Sequence, residues 1–116
     1  MAGRDAILRW SDEFDRPPGS LPAPTVWRAE LGGGEWVYGQ VQVYTDLPSN
    51  AAITGEANLA LAARREPSGV IRSARLITKG RIHVRYGRIE ARIKVPPGRG
   101  LWPAFWMLDA DIDEVG

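Results

Sequence analysis

Apolar and polar residues alternate in short runs along most of this chain, and glycine or proline closes each run. Ala52 to Leu61 holds such alternation, interrupted at Gly55. Asn58-Leu59-Ala60-Leu61-Ala62 alternates cleanly after Thr54-Gly55-Glu56, which has the composition of a turn. Arg64 to Gly69 predicts a polar turn, and Arg72 to Thr78 predicts a strand that Gly80 ends. Ile82, Val84 and Tyr86 then alternate with Arg81, His83 and Arg85 as far as Gly87. The clearest pattern is Arg88-Ile89-Glu90-Ala91-Arg92-Ile93-Lys94-Val95, where charged and apolar residues alternate over eight positions. Period two predicts a half-buried antiparallel strand, and Pro96-Pro97-Gly98 ends it. Leu101 to Leu108 is continuously apolar, which predicts a strand covered on both faces. Pro17-Pro18-Gly19 and Gly32-Gly33-Gly34 mark loops.

Strands divided by Gly/Pro turns, with no amphipathic helix, predict an all-β antiparallel sandwich. No internal repeat, low-complexity segment or linker is visible, so residues 1–116 read as one structural unit. A chain of 116 residues, 44% hydrophobic, is long enough to bury roughly two-thirds of its unfolded surface. The absence of cysteine excludes disulfides, thiolate metal sites and a cysteine nucleophile within these residues. His83 is the single histidine, which excludes a site built on two histidines; it shares a strand face with Arg81 and Arg85 and reads as a surface residue. No apolar run reaches the length of a membrane span, so no membrane partner is expected. The N-terminal residues MAGRDAILRW contain no apolar core of a signal peptide.

Charge is unevenly spread. Net charge is −4 over residues 1–60, +9 over 61–99 and −4 over 100–116, for a total of +1. A basic middle suits either a polyanion or a solvated sheet face. Arg88, Glu90, Arg92 and Lys94 share one face, with Ile89, Ala91, Ile93 and Val95 on the other, as in a charge ladder on a solvated sheet. Nucleic-acid binding would want aromatic rings among the basic residues of that face. Only Tyr86 lies near, so no nucleic-acid partner is expected.

Trp102 and Trp106 are four residues apart, which on a strand places both on one face. Indoles stack on the C–H faces of sugar rings while the N–H stays a donor. Such a pair is more often found in a core, and the pattern alone favours that reading. The four segments Trp10-Ser11-Asp12-Glu13-Phe14-Asp15, Ser73 to Gly80, Tyr86 to Lys94 and Gly100 to Leu108, in this order, resemble glycoside hydrolase family 16, in its laminarinase-like branch of endo-β-1,3-glucanases. The resemblance covers nearly the whole chain. It implies a jelly-roll, concanavalin A-like sandwich with a concave sheet that holds β-glucan, incomplete in this chain. It implies a retaining hydrolase of β-1,3- or mixed β-1,3/1,4-glucan with a polysaccharide partner and no required cofactor. The alternatives are a non-catalytic β-glucan-binding or lectin-like sandwich, and a polyanion-binding domain using residues 64–99. The family is usually secreted; this sequence leaves its location open.

Site residues follow from the same resemblance. Arg75 matches an arginine that reaches the substrate cleft, with a structural ion pair as the other reading. Trp102 and Trp106 are the remaining candidate substrate contacts. Glu13 matches a residue that helps bind a structural calcium, a cation that needs six or more oxygens; the later aspartate that completes that site is not in this sequence. The family's Gly-Trp-Gly-Asn-Asn-Glu-like segment corresponds to Glu35-Trp36-Val37-Tyr38-Gly39-Gln40, so its substrate-contacting asparagine is replaced by Tyr38 or Gly39. The catalytic Glu-x-Asp-x-x-Glu strand is expected beyond Gly116, and no catalytic residue is assigned within the chain. Asp109, Asp111 and Asp113 alternate in a similar way, but aspartate is a methylene shorter than glutamate and the segment follows Leu108 directly; a solvated acidic loop is expected. A partial sandwich is expected to expose sheet edges and part of residues 101–108, and so to self-associate.

Overall fold

The computed structural model describes residues 7–33, 41–99, 101 and 103–108. Among them eight short strands form three sheets, and none of these residues is helical. The strands are β1 (Arg28–Ala29), β2 (Gly32–Gly33), β3 (Val43–Tyr44), β4 (Ala51–Ile53), β5 (Leu59–Leu61), β6 (Arg64–Arg65), β7 (Ile71–Ser73) and β8 (Leu76–Ile77). The all-β class agrees with the alternation.

The β4–β5 hairpin forms where the sequence alternates most cleanly after Gly55, with Ala52 opposite Ala60. Its loop is closed by Thr54 N–H donating to Asn58 O at 2.9 Å. Gly55 takes φ +95°, and a Cβ there would lie 2.6 Å from Pro18 Cγ, so both conformation and space require glycine. The Pro17-Pro18-Gly19 loop packs here because Gly19 N–H donates to Ile53 O and Ile53 N–H to Ser20 O, both at 2.8 Å.

The second sheet runs β2-β3-β7-β6. Its β3–β7 pair is parallel, with Val43 opposite Arg72 and Tyr44 opposite Ser73, which departs from the fully antiparallel expectation. Parallel neighbours need a long crossover, and the β4–β5 hairpin with β6 supplies it. Arg64 and Arg65, expected in a turn, form β6 instead. The turn is confined to 66–70, where Glu66 N–H donates to Val70 O at 2.8 Å. Exposed arginines suit this outer strand, because charge blunts an edge.

Arg72 to Thr78, expected as one strand, is divided between sheets: β7 belongs to the four-stranded sheet, while β8 pairs with β1. A buried polar knot ties the pieces together. Asn50 is 1% exposed; its amide donates to Ala62 O at 2.9 Å and Arg72 O at 3.0 Å, and accepts from Thr45 Oγ1 at 2.6 Å. Ala51 and Ile53 are the buried hydrophobic residues beside it.

Residues 88–95 and the described part of 101–108 form no strand and are exposed. The alternation is present in the sequence, yet a strand exists only with a hydrogen-bonded neighbour, and no described residue pairs with these segments. Burial is correspondingly low. The chain exposes 9630 Å², whereas a compact chain of this length would expose about 6,300 Å² out of about 18,600 Å² unfolded. About half of the unfolded surface is therefore buried, rather than the two-thirds expected from length. The radius of gyration, 15.8 Å, likewise exceeds the roughly 13 Å of a compact domain.

Candidate functional site

The β1–β8 ladder sets Arg28 opposite Ile77 and Ala29 opposite Leu76. One position further along, Glu30 N–H donates to Arg75 O at 2.9 Å. Alternation then separates two faces. Ala29 and Leu76, with Trp27, line an apolar cavity of about 410 Å³. Glu30 and Arg75 lie on the opposite face, where Arg75 Nε sits 2.8 Å from Glu30 Oε1. The Arg75 guanidinium carbon also lies 5.0 Å from the centroid of the Trp106 ring, within cation–π range. Arg75 thus makes the structural ion pair and also meets Trp106, bringing two of the three candidate substrate contacts together.

Trp106 is 53% exposed. A planar cation beside an exposed indole gives a surface with hydrogen-bond donors next to a flat apolar ring, which suits a sugar's hydroxyls and its C–H face. Trp102 lies outside the described residues, as do 35–40 and the acidic run 109–114. Phe105 and Met107, in the run expected to be covered on both faces, are exposed like Trp106, because no second layer covers residues 103–108 among the described residues.

Glu13 is exposed. Among the described residues no group of three or more Asp, Glu or His side chains converges as a metal site, so these residues alone do not provide calcium's oxygen shell. The surrounding motif has a packing role. Asp12 Oδ2 accepts from Trp27 Nε1 at 2.8 Å and Asp12 Oδ1 accepts from Phe14 N–H at 2.9 Å. The rings of Trp10 and Phe14 sit 6.5 and 6.4 Å from that of Trp27. The N-terminal segment is thereby clasped to the residue that leads into β1.

Sequence reasoning missed Glu30, Trp27 and Asn50. Glu30 carries no local signal, since only strand pairing brings it to Arg75. Asn50 had one: a polar residue opening the small apolar run Ala51-Ala52-Ile53 must find partners if it is buried.

Comparison with known proteins gives this geometry a context. Residues 36–116 match the family described as glycosyl hydrolases family 16. A β-glucanase of Rhodothermus marinus is 44% identical over 103 residues, which cover 87% of this chain and 35% of that protein. The crystal structure of the laminarinase from Rhodothermus marinus superposes with a TM-score of 0.57 at 40% identity, covering 65% of this chain and 30% of that one. A β-1,3-glucan-binding protein of Penaeus monodon is 55% identical over 38 residues, 33% of this chain and 10% of that protein. The chain spans about a third of the length of the β-glucanase it matches. On the family match and this similarity, the chain belongs to glycosyl hydrolases family 16.

Proposed function

We propose that this chain supplies part of the β-glucan cleft of a retaining endo-β-1,3-glucanase, with Arg75, Trp106 and Trp102 as sugar contacts. The observation that carries the reading is the Arg75 guanidinium 5.0 Å from the exposed Trp106 ring. The solved laminarinase it resembles points to the same substrate class. Retaining hydrolysis needs a nucleophilic carboxylate and an acid/base carboxyl about 5–5.5 Å apart. These 116 residues contain no Glu-x-Asp-x-x-Glu strand to provide them. The chain alone binds, and catalysis requires that motif.

Affinity electrophoresis in laminarin tests the contact residues. Trp106→Ala and Arg75→Ala are expected to abolish retardation, whereas Phe105→Ala leaves it intact. Unchanged retardation in both of the first two variants overturns the assignment. A second reading, glucan binding without hydrolysis, is favoured by the similarity to the β-1,3-glucan-binding protein. Release of reducing ends from laminarin by the full-length protein separates the two.

A further inference from the structure

A second cavity, of about 480 Å³, lies between the N-terminal segment and residues 81–86. Arg9, Arg81, Arg85 and His83 line it together with the rings of Trp10 and Tyr86, and none of the described residues lining it is acidic. Both walls are anchored to one ladder. Trp10 packs at 6.5 Å on Trp27, which leads into β1. Arg81 sits on the turn that follows β8, where Arg81 N–H and Ile82 N–H donate to Thr78 O at 2.9 and 3.0 Å. Arg81 is therefore held on a turn fixed to the β1–β8 pair, and the N-terminal wall that carries Arg9 is tied to the same pair through Trp10 and Trp27. Arg85 lies 5.4 Å from the Tyr86 ring centroid, a cation beside an aromatic face.

We propose that this cavity binds an anionic sugar: a sulfate ester or a carboxylate carried on a polysaccharide. Three guanidinium groups with no carboxylate among them favour an anion, and arginine's fork suits the oxygens of a sulfate or carboxylate. Trp10 is 43% exposed and Tyr86 83% exposed, so both rings offer faces on which the sugar bearing that anion stacks. A nucleic acid is the weaker match. Its binding rests on many phosphate contacts along a track, whereas this concavity gathers only Arg9, Arg81 and Arg85, with His83 and two aromatic rings beside them. The site is distinct from Arg75 and Trp106, so it does not depend on how neutral glucan is bound.

The test compares laminarin with laminarin carrying sulfate esters, at equal chain length and fixed ionic strength, by titration calorimetry on the full-length protein. The sulfated polymer is expected to bind at least about tenfold more tightly, the gain from charge-assisted hydrogen bonds to the arginines. Arg81→Gln/Arg85→Gln is expected to remove that preference while leaving affinity for neutral laminarin unchanged. Arg92→Gln/Lys94→Gln, the same charge change on exposed residues that do not line the cavity, is expected to retain it. Equal affinity for the two polymers overturns the proposal, as does loss of the preference in the control variant. A single-stranded oligonucleotide of matched charge that binds as tightly as sulfated laminarin also overturns it, in favour of a general polyanion surface.

Discussion

Asn50→Ala should be among the most damaging single substitutions in this chain. The Asn50 side chain is 1% exposed and makes three hydrogen bonds, to Thr45 Oγ1, Ala62 O and Arg72 O. These partners lie just after β3, just after β5 and within β7, so one amide joins strands from two sheets. Truncation removes the amide, strands two backbone carbonyls where water has little access, and leaves the Thr45 hydroxyl with only the bond it accepts from Leu47 N–H. At about 1 kcal/mol per bond the loss is about 3 kcal/mol, more if the orphaned groups stay desolvated. Whole domains are stable by only about 5–15 kcal/mol, and this chain buries about half of its unfolded surface, below the fraction usual even for much smaller domains. Asn50→Ala, introduced into the full-length protein, is therefore expected to move the midpoint of urea unfolding, followed by far-UV circular dichroism, far towards zero denaturant. Asn58→Ala is the control, since Asn58 is exposed and only its backbone carbonyl, which the substitution retains, bonds Thr54. A midpoint for Asn50→Ala no lower than that for Asn58→Ala would refute the reasoning and show that the knot contributes nothing net.

Other outcomes follow from the same structure. The isolated chain should self-associate or bind 1-anilinonaphthalene-8-sulfonate, because its exposed area exceeds the compact value by about 3,000 Å²; a monodisperse monomer with a sharp two-state melt would contradict this. The 116-residue chain should release no reducing ends from laminarin, and release that Asp111→Asn abolishes would mean the acidic run is catalytic after all. Asp12→Ala should cost about 1 kcal/mol or somewhat more through loss of its bond to Trp27 Nε1, accompanied by a change in tryptophan emission; an unaltered spectrum and melt would show that the clasp is dispensable.

Part of the β architecture was legible because a strand's alternation is local, whereas 82–86, 88–95 and the described part of 101–108, expected as strands, form none. Leu59 to Leu61 announces β5, and Gly55 announces the turn before it. The expected family membership rested on ordered motifs and holds. Glu66 to Val70 carried the turn chemistry, although the sequence could not say that Arg64 and Arg65 belonged to a strand, since polar residues join an edge only when a neighbour offers backbone groups.

What the sequence determined by itself was the class of fold, the turns at Gly55 and at 66–70, and the family, since each is written in residues close together along the chain; Gly32 and Gly33, expected in a loop, form β2 instead. Pairing was decided only in three dimensions. That β3 runs parallel to β7, that Arg72 to Thr78 divides between two sheets, that Glu30 meets Arg75 and that Asn50 closes a buried knot all depend on which distant backbone groups satisfy one another. The run 88–95 shows the converse: its alternation is the clearest in the chain, yet the described structure gives it no strand. A hydrophobic pattern states which face should be buried. A ladder of hydrogen bonds and a covering layer must come from other residues, and their energy is realised only when those residues are in place.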